Sequence, residues 1–178
     1  MAKKAAMIIA FENFRDEEYK EPKDFLEKSG VEITTVSSKL GTAKGKYDMP
    51  AKVDLTLDKL KVSDYDAILY IGGPGSYDYY DDPTAHRIAR ETVKAGKILG
   101  AICAAPGILA NAGVLKGKKA TMFADDGTLA KGGATYTGKG VEIDGKIITA
   151  TGPSTARAWG EAIIKAWKTL NSQESSGK

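Results

Sequence analysis

The chain has 178 residues, enough for one domain with a substantial core. Its 26 basic and 23 acidic residues leave a net charge of +3 and are mixed along the sequence, so neither nucleic-acid binding nor membrane-surface binding is indicated. A single cysteine cannot close an intramolecular disulfide, and the signature of an oxidising compartment is absent.

The N-terminal string MAKKAAMIIAFENFRDEE places two lysines before an apolar stretch, as a secretory signal does. AAMIIAF is short for such a segment, however, and it runs into charge without a small-residue cleavage pattern. Residues 5–11 therefore read as a first buried strand, and the expected location is cytoplasmic. A helix over 16–29 and a strand over 31–37 follow, then a small β excursion in GTAKGKYDMPAKVDLTL. DAILYIG at 66–72 is the next strand, and a helix over 83–95 is announced by Asp82 as cap and Pro83 at the first helical position. KILGAI at 97–102 is a fourth strand, followed by a helix over 106–112. VEIDGKIITA carries an Asp144-Gly145 hairpin signal, which predicts an antiparallel addition. A last helix over 154–170 sets Trp159, Ile163, Ala166, Trp167 and Leu170 on one apolar stripe. Short apolar runs alternating with longer periodic ones predict an α/β fold over 1–170, a parallel sheet covered by helices on both faces, with a small antiparallel β addition. Residues 171–178, NSQESSGK, are expected to be a disordered polar tail.

In an open parallel sheet, ligands bind off the carboxyl ends of the strands. Three such ends carry chemistry here. The first is followed by an acidic cluster holding Glu12, Asp16, Glu17, Glu18 and Glu21, and the third by Gly72-Gly73-Pro74-Gly75, where missing side chains let backbone amides approach a ligand or a developing negative charge. The fourth is followed by Cys103, at a strand-to-helix corner where amides and the helix dipole favour a thiolate. The competing reading of Cys103 is a small buried hydrophobe. A thiol, an acid and an amide pocket at adjacent strand ends are the parts of a nucleophile site with an oxyanion hole.

Four collinear segments carry a family resemblance: EEYKEP, YIGGPG, AICAAP with GILANAGVLKGKKAT, and TGPSTARAW. Over about residues 5–168 the chain resembles the ThiJ/PfpI superfamily of deglycase-like proteins and intracellular proteases. The resemblance implies a flavodoxin-like (class I glutamine amidotransferase-like) sheet, Cys103 as the reactive cysteine, Glu18 as the acid hydrogen-bonded to its sulfur, and the amides of Gly73 and Ala104, beside Gly72, as the oxyanion pocket. An ionised carboxylate beside the sulfur would oppose thiolate formation, so Glu18 must be neutral when Cys103 is ionised. By position alone, Asp16 and Glu17 are equally placed as helix-start carboxylates.

The sequence departs from the family at the histidine that its proteases and many of its glyoxalase-type members carry near the cysteine. Ala104 follows the cysteine directly, and Phe123 stands about where other members have histidine. The only histidine, His86, falls at the margin of a helical stripe made of Ala85, Ile88, Ala89 and Val93, and reads as an ordinary surface residue. Peptide hydrolysis needs an acid for the leaving amine, which weakens a protease reading. The first expectation is thus a cofactor-independent enzyme acting on reactive carbonyls, of glyoxalase or deglycase type, converting methylglyoxal to lactate or repairing glycated protein. The alternatives are a redox-responsive protein in which Cys103 is oxidised and a PfpI-type peptidase. Cysteine and histidine are not paired at metal-ligand spacing, and GGPG is not a dinucleotide fingerprint, so no cofactor is expected. The resemblance implies a homodimer or larger assembly, and Tyr77, Tyr79 and Tyr80 are candidates to line the pocket or a subunit contact.

Overall fold

A computed structural model describes residues 2–176. The elements in chain order are β1 Lys4–Ile8, β2 Glu12–Phe14, α1 Asp16–Lys28, β3 Glu32–Ser37, β4 Gly41–Gly45, β5 Pro50–Val53, β6 Leu55–Thr56, β7 Ala67–Tyr70, α2 Pro83–Lys94, β8 Ile98–Ile102, α3 Pro106–Asn111, β9 Lys119–Ala120, α4 Thr128–Lys131, β10 Thr135–Tyr136, β11 Val141–Asp144, β12 Ile147–Ala150 and α5 Ala156–Ser176. Seven strands form one sheet in the order β11-β12-β8-β7-β1-β3-β6, parallel throughout except for β11, which pairs antiparallel with β12. The α/β expectation and its helix-covered parallel sheet are met.

The strand pleat sorts the apolar residues into two cores. Ala6, Ile8, Ile68, Tyr70, Leu99 and Ala101 belong to the core that holds Ile88 and Ala89 of α2 and Ile108 and Leu109 of α3. Ala5, Met7, Ala67, Leu69, Ile98 and Ile102 face the core that holds Leu26 of α1 and Trp159, Ile163 and Trp167 of α5. Burial on both faces explains why these strands are apolar runs without alternation. Trp159 is fully buried, donates its indole N–H to the Ile148 carbonyl at 2.9 Å, and lies over Gly100, where a Cβ would stand 2.9 Å from the ring and 2.7 Å from Leu69.

The local elements refine some expectations and correct others. The hairpin at Asp144-Gly145 forms, but its second strand, β12, pairs parallel with β8 and is part of the main sheet, leaving β11 as the antiparallel addition. The excursion after β3 is the antiparallel pair β4–β5, and β2 joins it through a parallel pairing with β4 that no short-range signal marks. In α2 the capping aspartate is as expected, Asp82 accepting from the Ala85 amide at 2.8 Å, yet the fourth buried position is Thr92, whereas Val93 is exposed. The last helix does not stop at 170: residues 171–176, expected in the disordered tail, are helical, and residues 177 and 178 lie outside the described residues. Among the described residues no helix is long and apolar enough to cross a membrane.

Because Trp159 joins α5 to the sheet by both area and a hydrogen bond, Trp159→Ala is expected to lower stability by about 3–5 kcal/mol, read as a lower urea midpoint.

Candidate active site

Cys103 is the first residue past β8 and has a φ of 65°, a left-handed conformation that costs a residue with a side chain roughly 1–3 kcal/mol. It is held there from both sides, its amide donating to the Ala150 carbonyl and its carbonyl accepting from the Phe123 amide, each at 2.9 Å. The turn brings the partly buried thiol to the carboxyl edge of the sheet, between the ends of β7 and β12. The amides of Gly73 and Ala104 favour its charged form. α3 spans only six residues, so these local N–H groups matter more than the helix dipole anticipated from the sequence.

Glu18 arrives from the opposite side, on α1, with no exposed surface. Its position relative to the cysteine is defined by Gly72: a Cβ there would lie 2.6 Å from Glu18 Oε1, 2.7 Å from Cys103 Cβ and 2.5 Å from the Ile102 carbonyl. Only glycine leaves room for acid and thiol to meet over the same backbone atom. Gly73, with φ 105°, is pressed against the segment that leads into α1, where a Cβ would stand 2.7 Å from the Asn13 carbonyl, and Arg15 N–H donates to the Gly72 carbonyl at 2.9 Å. The glycine loop therefore fixes the start of α1, and with it Glu18.

The remaining acids of the cluster have other work. Asp16 is nearly buried and accepts from the amides of Tyr47 and Met49, at 3.0 and 3.1 Å, closing the turn between β4 and β5. Glu17 pairs with Arg15 at 2.7 Å, which holds its carboxyl below the usual range. Glu12 and Glu21 are exposed. Arg15 was not singled out in the sequence. Its guanidinium, 5.0 Å over the Tyr47 ring, is the nearby positive charge that favours ionised Glu18.

Burial dominates the electrostatics. Neither oxygen of Glu18 has a partner at full hydrogen-bond geometry, and desolvation pushes its carboxyl up to about 7 despite the Cys103 thiol, Arg15 and the Gly72 amide. Burial, followed by the charge of Glu18, pushes the Cys103 thiol up, to about 12 with the carboxylate beside it, and the Gly73 and Ala104 amides act the other way. The thiolate accordingly forms when Glu18 is protonated, and the two groups share a proton as one titrating unit.

Phe123 is half exposed, and its amide donates to the Cys103 carbonyl. His86 is partly buried and places Nε2 2.6 Å from the Tyr80 carbonyl, so it is not the free surface residue that the sequence suggested. The three tyrosines separate. Tyr79 is core, its hydroxyl donating to the Ile9 carbonyl at 2.8 Å, which corrects its reading as a pocket or interface residue. Tyr80 donates to the Ala104 carbonyl at 2.6 Å, and Tyr77, half exposed, lies with its ring 4.6 Å from that of Tyr80. The spacing of Ser76 and Tyr79, both buried and three residues apart on the 3₁₀ segment Pro74–Tyr79, was the available signal.

The family model described as the DJ-1/PfpI family matches residues 3–166. The chain belongs to the DJ-1/PfpI family. It is 38% identical over 167 residues to an uncharacterised protein of Methanocaldococcus jannaschii, covering 92% of this chain and 82% of that one. It is 32% identical over 165 residues to a protein of Pyrococcus horikoshii named as a deglycase, covering 91% of this chain and 98% of that one. The crystal structure of a ThiJ/PfpI domain protein from Brachyspira murdochii superposes with a TM-score of 0.91 at 28% identity, over 93% of this chain and 96% of that one. In this DJ-1/PfpI chain position 104 is alanine and position 123 phenylalanine, and the thiol and the carboxyl group meet over the Gly72 backbone.

A carboxyl raised from 4.5 to about 7 by folding makes the folded state bind more protons than the unfolded state between those pH values, so its contribution weakens stability as pH rises through that window. The shift corresponds to about 3 kcal/mol. Urea titrations of Glu18→Gln against the parent should show the stability of the variant relative to the parent growing from pH 4.5 to 7 and then levelling. A difference that does not change with pH would remove Glu18 as a perturbed acid.

Proposed function

We propose that this protein is a cofactor-independent cysteine enzyme that acts on reactive carbonyls, small α-oxoaldehydes such as methylglyoxal and the adducts they leave on proteins. The observation that carries this reading is the placement of a buried, proton-holding Glu18 and the Cys103 thiol against the same Gly72 backbone, with the Gly73 and Ala104 amides at the sulfur. The P. horikoshii relative named as a deglycase supports the same substrate class.

The chemistry needs no group beyond these residues and water. The Cys103 sulfur adds to the aldehyde carbon, the carbonyl electron pair moves to oxygen, and the proton shared by the pair follows it, leaving a hemithioacetal and an ionised Glu18. Glu18 then removes the hydrogen on the former aldehyde carbon as a proton and returns one to the neighbouring carbon. One carbon is oxidised to a thioester and the other reduced to an alcohol, so no external oxidant is consumed. Water cleaves the thioester, releasing lactate and restoring the thiol. Burial of Glu18 suits both directions, since an acid near neutrality is protonated and deprotonated with equal ease at working pH. Hydrolysis of an amide would require protonation of an amine leaving group as well, and the imidazole of His86 is engaged at the Tyr80 carbonyl.

With methylglyoxal as substrate, Cys103→Ala and Glu18→Ala should each lower the rate of lactate formation by at least about a hundredfold. Gly72→Ala, which drives a methyl group between the two side chains, should do the same while the protein remains folded by circular dichroism. Lactate production at the parental rate in both Cys103→Ala and Glu18→Ala would exclude this reaction.

A further inference from the structure

The strained corner at Cys103 is fixed by backbone hydrogen bonds to Ala150 and Phe123, by Ala105 N–H to the Ile102 carbonyl at 3.0 Å and by Gly107 N–H to the Ala104 carbonyl at 3.1 Å. One side chain joins them. The Tyr80 hydroxyl reaches the same Ala104 carbonyl at 2.6 Å, on the residue whose N–H faces the sulfur. Room for this phenol is built into α3: a Cβ on Gly107 would collide with the Tyr80 hydroxyl and ring. Tyr80 is itself tied down, because its own carbonyl accepts from His86 Nε2 at 2.6 Å and from Asn111 Nδ2 at 3.1 Å. A carbonyl only accepts, so the imidazole carries its proton on Nε2 in this contact. The only histidine of the chain thus connects to the nucleophile through one tyrosine, although it does not belong to the pair that does the chemistry.

We propose that Tyr80 is a positioning residue for Cys103: its phenol, seated over Gly107 and anchored at its backbone by His86 and Asn111, holds the residue after the cysteine so that the Ala104 N–H stays aimed at the sulfur. The Gly107 hydrogen bond keeps the Ala104 carbonyl satisfied when the phenol is lost, so the role is alignment and not folding. The proposal takes from the functional reading only that Cys103 is the nucleophile.

Cys103 is the only cysteine, so the rate of its alkylation by iodoacetamide across pH, followed by intact mass, reports the thiolate directly and needs no carbonyl turnover. The titratable groups around the corner are Glu18 on α1, Tyr77 on the turn after Gly73, Asp126 between β9 and α4, and Tyr80 itself. Tyr80→Phe leaves Glu18 and Asp126 in place and takes from Tyr77 the hydroxyl it interacts with, while the Tyr80 phenol, raised well above its ordinary value, stays neutral across the profile. Loss of alignment of one N–H at a charged sulfur should move the alkylation profile of Tyr80→Phe upward by up to about one pH unit, up to about tenfold slower on its rising limb. Gly107→Ala, which displaces the phenol, should reproduce the shift. Tyr79→Phe removes a hydroxyl of the same kind from the neighbouring core residue and should leave the profile at its parental position. A Tyr80→Phe profile superimposable on the parent's, or an equal shift in Tyr79→Phe, would overturn the proposal. If the parent forms no lactate, the carbonyl reaction falls, and the alkylation profiles still decide the role of Tyr80.

Discussion

The structure is organised around a carboxyl group placed where water cannot reach it. A buried, unpaired carboxylate is among the most unfavourable things a fold can contain, and the usual escape is to hold a proton. Glu18 has that escape, because the nearest group able to exchange a proton with it is the Cys103 thiol. Neither member can be understood alone. Burial raises the acid towards neutrality, and the charge it carries once ionised opposes ionisation of the thiol.

Bringing the two together sets severe conditions on the backbone. Gly72 has no side chain where the carboxyl and the cysteine meet, Gly73 adopts a positive φ against the segment entering α1, and Cys103 adopts one without being glycine. Three strand ends and the start of a helix converge within the reach of a few atoms. The rest of the molecule supplies the rigidity for this: strands β1, β7, β8 and β12 are buried on both faces, with α1 and α5 packed on one side and α2 and α3 on the other. Local strain at the corner persists because the surrounding core determines the path of the chain.

The architecture was legible because each strand of the sheet is a continuous apolar run, and that signal needs no knowledge of partners. The cysteine corner and the glycine loop were legible for a similar reason, being short strings at strand ends. Choosing Glu18 among five acids was a different problem. Asp16 differs from Glu18 by two positions in one helix turn, and it is committed elsewhere only because the β4–β5 turn, some thirty residues later, folds back onto it. That contact depends on the β2–β4 pairing, which has no local signature, and so family resemblance and not residue pattern pointed to Glu18, the acid that the fold places beside the cysteine. Thr92 in place of Val93 has a simpler origin. Position 92 completes the i, i+3, i+4, i+7 series from Ala85, and geometry outweighed hydrophobicity, the hydroxyl being absorbed by the Ile88 carbonyl at 2.7 Å.

The proton inventory of the site also limits the reactions open to it. On the proposed reading, addition of sulfur to an aldehyde requires one proton for the nascent alkoxide, and the subsequent transfer between adjacent carbons requires one base that gives back what it takes. Glu18 meets both needs in sequence, since it becomes a carboxylate in the first step and acts as one in the second. An amide substrate makes a further demand at the same moment, protonation of an amine on the far side of a tetrahedral centre, a task that an imidazole beside the cysteine would suit. Here position 104 is alanine, position 123 is phenylalanine and the one imidazole is held at the Tyr80 carbonyl. That is why the proposed reading favours an aldehyde: its demand for protons matches what a thiol and a single buried acid can supply.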